Sequence, residues 1–185
     1  MSETDQYILE SIRNWVWSGF YSADEVDAMI DDILEDDADE DMLRAAVGPE
    51  FDRKKKAEEG WPETTDCDRL DAVFESLGKS GVLCLHNAGY TMSDGHSDAV
   101  ELLDDQPRNR YSGYCFYHGQ DVERAVNNGG LFLAFDSVNG SDKLKVGLAV
   151  KGQLEAAGFA VEWNGSAETR ICIPAFDWKR RFANI

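Results

Sequence analysis

The sequence is short of positive charge and of long apolar runs, and each shortage excludes something. Its 185 residues hold 18 Lys+Arg against 36 Asp+Glu, a net charge of −18. Such a field repels nucleic acid and anionic membranes, so neither is expected as a partner. No apolar run approaches the roughly 20 residues that cross a bilayer. The opening residues, Met1-Ser2-Glu3-Thr4-Asp5, are acidic, with no basic stretch and apolar stretch after them, so a secretory signal is not expected. Cys67, Cys84, Cys115 and Cys172 are widely spaced in apolar or strand-like settings. They read as free, mostly buried thiols of a cytoplasmic protein, not as a disulfide framework. There is no phosphate-loop or dinucleotide glycine pattern and no nucleophile-elbow serine.

What is present suffices for a folded core. Apolar residues make up 43% of the chain, and five Trp, six Tyr and nine Phe are available. The acidity is uneven. Residues 1–66 hold 20 acidic and 6 basic residues, while 67–185 hold 16 and 12. Between Asp24 and Asp41 there are 11 acidic residues and no basic one.

Apolar spacing predicts a helix over Tyr7–Phe20, closed by Gly19. Ser22-Ala23-Asp24-Glu25 is a capping box, and Val26, Met29, Ile30, Ile33 and Leu34 then form one apolar stripe to Asp36. Asp27, Asp31, Asp32, Glu35 and Asp36 fall off that stripe and form a carboxylate wall. A third helix starts near Asp39, and Gly48-Pro49 is expected to break it before the chain resumes as helix over Phe51–Gly60. The expected organisation is an acidic helical subdomain, 1–60, followed by an α+β domain, 61–185. In the second part, helices alternate with strands at Val82–His86, Ser112–His118 and Leu131–Phe135. A hairpin of Ala160–Trp163 with Arg170–Pro174 is expected across Asn164-Gly165. The fold class is thus α+β, with about five strands in a mixed sheet flanked by helices.

Candidate chemistry is sparse. Asp37-x-Asp39-x-Asp41 opens like a calcium loop, but Met42 and Gly48 occupy the positions that need Gly and Glu. Cys84-x-His86 and Cys115-x-x-His118 supply two thiols and two imidazoles, a zinc set only if their strands pair and His118 has left its strand. Cys84 or Cys115 with His118 or His96 and Asp121 has the residue types of a thiol hydrolase. Asn87 to Asp98, with Tyr90, Asp94 and His96, is the most polar loop; it either presents a site at a helix start or merely caps the helix. No metal or cofactor is expected.

Three passages resemble an uncharacterised family of bacterial proteins, a domain of unknown function. They are Leu70…Leu77 running into Gly81-Val82 and Asn87-Ala88-Gly89-Tyr90-Thr91…Asp94-Gly95; Gly130-Leu131-Phe132-Leu133-Ala134-Phe135; and Ala157-Gly158-Phe159 through Trp163-Asn164-Gly165, Arg170 and Trp178-Lys179-Arg180-Arg181. The resemblance covers about residues 62–182 and implies no activity. From their residue types, Trp163, Arg170, Trp178 and Arg180 are expected to close the core by stacking and ion pairing.

Two functions follow as expectations. One is an acidic protein that binds a basic protein partner through Asp27, Asp31, Asp32, Glu35, Asp36 and Asp39, with Tyr90, Asp94 and His96 as further contacts. An immunity protein that neutralises a basic, nuclease-type bacterial toxin is its concrete form. The other is a small hydrolase or metal-dependent enzyme around Asn87–Asp98 and His118. The first predicts that charge reversal at Asp31, Asp32, Glu35 and Asp36 spares the fold.

Overall fold

Ser2 and Ser22 each start a helix by the same device. The serine hydroxyl accepts from the backbone N–H three residues on, and the carboxylate there accepts from the serine N–H. A computed structural model describes residues 1–107, 109–138 and 140–182. It divides into two compact units, Met1–Thr65 with the stretch from Lys179, and Asp66–Trp178.

The first unit holds α1 (Glu3–Ser18), α2 (Ala23–Asp31) and α3 (Glu40–Glu58). Ile8, Ile12 and Val16 lie four residues apart on α1, so they share one face. That face packs against Val26 and Ile30 of α2 and Leu43 and Val47 of α3, all buried. Each such side chain contributes about 1.5–3 kcal/mol by leaving water. Arg180, from the returning C-terminal stretch, stands 4.9 Å from the Phe20 ring centroid.

Two expectations fail here for physical reasons. First, α2 ends at Asp31, not Asp36. Further helical turns would set Asp32, Glu35 and Asp36 at the negative end of the helix dipole with no basic residue to offset them. Ile33 and Leu34 still pack against the core from the turn. Second, α3 runs unbroken through Pro49. Proline removes the N–H that would pair with the Ala45 carbonyl, but Ala45 and Pro49 are both exposed, so the lost bond falls on the solvent side of the helix, where it costs least. On the opposite side, the Trp17 Nε1–H donates to buried Glu50 at 2.6 Å, holding the continued helix against α1. The first helix also starts earlier than expected, because Ser2 and Asp5 cap it.

The second unit is α4 (Asp66–Lys79), β1 (Val82–Leu85), α5 (Met92–Asp104), β2 (Gly113–Phe116), α6 (Gly119–Val126), β3 (Leu131–Ser137), α7 (Lys143–Ala156) and β4 (Ile171–Ile173). The sheet order is β1-β2-β3-β4, with β1 parallel to β2 and the other pairs antiparallel. β3 pairs through Ala134–Ser137 with β2 and through Leu131–Leu133 with β4. α4 and α7 pack together on the sheet, while Tyr114, Phe116 and Ala134 form a cluster with Ala99 of α5. The architecture is α+β with a mixed sheet, as the sequence indicates, but the sheet has four strands rather than five. The expected fifth survives as one antiparallel bridge, Glu162 with Cys172. The chain between does not turn tightly at Asn164-Gly165, because the Trp163 indole N–H reaches the carbonyls of Ser166 and Thr169 and holds a wider loop. The Trp163 ring meets Phe135 edge-on, and Trp178 meets Tyr117 likewise.

Candidate functional site

The acidic residues of the first unit fall into two groups. Arg44 collects the first. Its guanidinium pairs with Asp27 at 2.9 Å, with Asp31, and with Glu40 four residues back at 2.8 Å. This clamp ties α2 to α3 and raises the Arg44 pKa further, chiefly through the bonds to Glu40 and Asp31. Asp39 is also engaged, since its side chain caps α3 by accepting from the Met42 N–H at 3.1 Å. Its own N–H donates to Asp5, which is buried. That bond, with the Ser2 N–H, holds the Asp5 carboxyl below its ordinary range.

Asp32, Glu35 and Asp36 form the second group. All three are exposed, and among the described residues none of their carboxylates has a hydrogen-bond or ion-pair partner. Charge reversal at Asp31 is therefore expected to disturb the Arg44 clamp, a contact that patterning does not reveal, whereas the other three positions carry no such contact. The clamp escaped the sequence reading because only its Glu40–Arg44 spacing is local.

In the second unit, the polar loop after β1 is occupied with its own folding. Asn87 and Gly89 sit at φ +48° and +54°, and the Ala88 N–H donates to the Tyr117 carbonyl. A Cβ on Gly89 would meet the Asp94 Cβ at 2.2 Å, so the tight approach needs glycine as much as the angle does. Thr91 and Asp94 form the capping box of α5, and the Thr91 bonds lower the Asp94 pKa. Gly95 lies against the Phe116 ring. His96 accepts from or donates to the Tyr114 hydroxyl at 2.9 Å and meets Phe116 edge-on; burial lowers its pKa, so it is neutral near pH 7. Tyr90 is half-exposed, its ring over Gly119 and its hydroxyl donating to Glu123 at 3.2 Å.

Cys84 and Cys115 are register partners on β1 and β2, so the strands do pair. His118 has left its strand and is the N-terminal cap residue of α6. The two imidazoles nevertheless go to different partners. His86 bonds the Tyr117 hydroxyl at 2.7 Å and faces Asp71 at 3.5 Å; His118 faces Asp121 at 3.2 Å. Among the described residues, no group of three or more His, Cys, Asp or Glu is placed to hold a metal ion. The Cys115 thiol is pushed well up by its bond with Cys84 and by burial, the reverse of an activated nucleophile.

The most connected polar group is Asp121, which is fully buried. Its carboxylate accepts from Arg170 at 2.9 Å on both oxygens and from Arg124 at 2.9 Å. Both guanidiniums lie about 5 Å from the Phe132 ring centroid. This is the closing role expected of Arg170, but the partner was invisible, since 49 residues separate the two. His118 completes the cluster. It is buried, burial lowers its pKa, and its Nδ1 meets no partner among the described residues.

A family model described as a domain of unknown function, DUF6891, matches residues 1–182. The chain belongs to the DUF6891 family. The match starts at residue 1 rather than near 62, so the acidic helices are as much part of the DUF6891 domain as the sheet. No curated protein and no solved structure matches the chain. Among its described residues, no helix is long and apolar enough to cross a membrane.

Proposed function

We propose that this DUF6891 protein binds a basic protein partner on the turn that follows α2. The observation behind this reading is the contrast among neighbouring carboxylates. Asp27, Asp31 and Asp39 are used by the fold, whereas Asp32, Glu35 and Asp36 are exposed without a partner. Three like charges on one short turn repel each other and are relieved by a cationic surface. An aromatic anchor stands nearby. The Thr4 hydroxyl donates to Asp37 of the same turn at 3.4 Å, and Tyr7, one helical turn further along α1, is 58% exposed. Tyrosine beside charge is a common composition for the residues that carry most of an interface's affinity.

The narrower form of the proposal is a cytoplasmic immunity protein whose partner is a basic, nuclease-type toxin domain. The test is affinity capture with three baits: wild type, the triple variant Asp32→Lys/Glu35→Lys/Asp36→Lys, and a control with the same charge change at exposed Asp52, Glu59 and Glu63. A basic protein retained by wild type and control but lost by the triple variant supports the reading. Recovery of the same proteins by all three baits contradicts it. For the narrower form, the captured partner's nuclease activity should fall on adding the wild-type chain.

A hydrolase centred on Asn87–Asp98 and His118 is the second reading, and the unpartnered Nδ1 of His118 beside Asp121 favours it. Ester or phosphoester hydrolysis that disappears in His118→Gln, with the fold intact, would support it.

A further inference from the structure

β1 lies at the end of the sheet and pairs only with β2 among the described strands. Every second residue of such a strand turns its backbone N–H and C=O away from its neighbour in the sheet, and within β1 the Val82 carbonyl accepts from the Cys84 thiol at 3.6 Å. Along this edge runs an open groove of about 400 Å³. Cys84, Leu85 and His86 line one side; Asp98, Glu101 and Asp105 line the other. The three acidic positions are three and four residues apart, which places them on one face of α5 and its cap. None of them has an ion-pair partner among the described residues, and the last turn of α5 contains no basic residue. Their charge therefore adds to the negative end of the helix dipole. Leu102, in the same wall, is 45% exposed.

We propose that this groove takes an extended segment of a protein partner as an added strand on β1, with Lys or Arg side chains directed at the α5 carboxylates. α5 is the crossover between parallel strands, so it runs back alongside β1. Asp98 and Asp105 stand about 10 Å apart along the helix at 1.5 Å per residue. Same-face residues of an added strand repeat about every 6.8 Å. Two basic residues at alternate positions thus fall between Asp98 and Glu101 and between Glu101 and Asp105. The backbone ladder supplies affinity without sequence preference, and the carboxylate row selects the charge, with Leu102 offering apolar contact. This surface belongs to the second unit and does not depend on the Asp32–Asp36 turn.

Fluorescence anisotropy with a labelled nonapeptide of alternating Lys and Val tests the proposal. Two further probes carry the same charge but are N-methylated on the odd or on the even residues. The unmodified probe should bind. One methylated probe should lose about tenfold or more, as removal of one or two net hydrogen bonds implies, while the other binds as before. Glu101→Lys/Asp105→Lys should weaken the unmodified probe similarly, while Asp32→Lys/Glu35→Lys/Asp36→Lys leaves it unchanged. Absent binding, equal effects of both methylation patterns, or indifference to the Glu101/Asp105 change would overturn it. Equal binding by all three probes would reduce the groove to a charged surface.

Discussion

In the first unit, the carboxylates of Asp32, Glu35 and Asp36 stand in solvent without a partner among the described residues; in the second, Asp121 is fully buried beneath Arg124, Arg170 and His118. The same functional group is a free surface charge in one place and a structural hub in the other. The difference lies in partners. A carboxylate leaves water only when fixed donors replace its hydration, and Asp121 has guanidiniums on both oxygens. The Asp32, Glu35 and Asp36 carboxylates meet no such donors among the described residues, so their charge remains available to another molecule.

The largest effect should come from breaking the buried hub. Asp121→Asn should destabilise the second unit by about 3 kcal/mol in urea unfolding, since it leaves two arginines under-compensated. The matching triple change Asp32→Asn/Glu35→Asn/Asp36→Asn should stay within about 0.5 kcal/mol. Equal losses would erase the distinction between the two groups.

Gly95→Ala should cost about 2 kcal/mol by overpacking, because the added methyl meets the Phe116 ring at 2.2 Å. Such a loss would mark the first turn of α5 as a packing element against Phe116, and a neutral outcome would reopen the Asn87–Asp98 stretch as a site.

Arg44→Ala should lower the melting temperature of the first unit by a few degrees, and Asp31→Lys should do the same, whereas Asp32→Lys should not. The smallest effect is pH-dependent. Asp5 titrates below its ordinary value of 3.8 in the folded protein, so the unfolded chain binds its proton first as the pH falls. The stability Asp5 confers is present above that value and is lost as the pH drops through its folded pKa. Asp5→Asn should flatten this part of the stability–pH curve.

Much of the fold was legible because its signals are local. The capping box at Ser22 and the apolar spacing of Val26 and Ile30 mark the start and the buried face of α2 within a few residues. The errors arose where a local signal met a longer-range force. The Ile33 and Leu34 stripe suggested more helix than the charge at its end allows, and Pro49 suggested a break that Trp17 and Glu50 prevent. The sites were less legible for the same reason. Arg44 reaches Asp27 across 17 positions and Arg170 reaches Asp121 across 49, and no sequence period announces either contact.

As proposed, the Asp32–Asp36 turn steers a basic partner. Stopped-flow association of the captured partner with wild type and with Asp32→Lys/Glu35→Lys/Asp36→Lys, at low and high salt, tests it most directly. The association rate should fall about tenfold or more in the triple variant, with its salt dependence largely removed. Superimposable rates and unchanged salt dependence would contradict it.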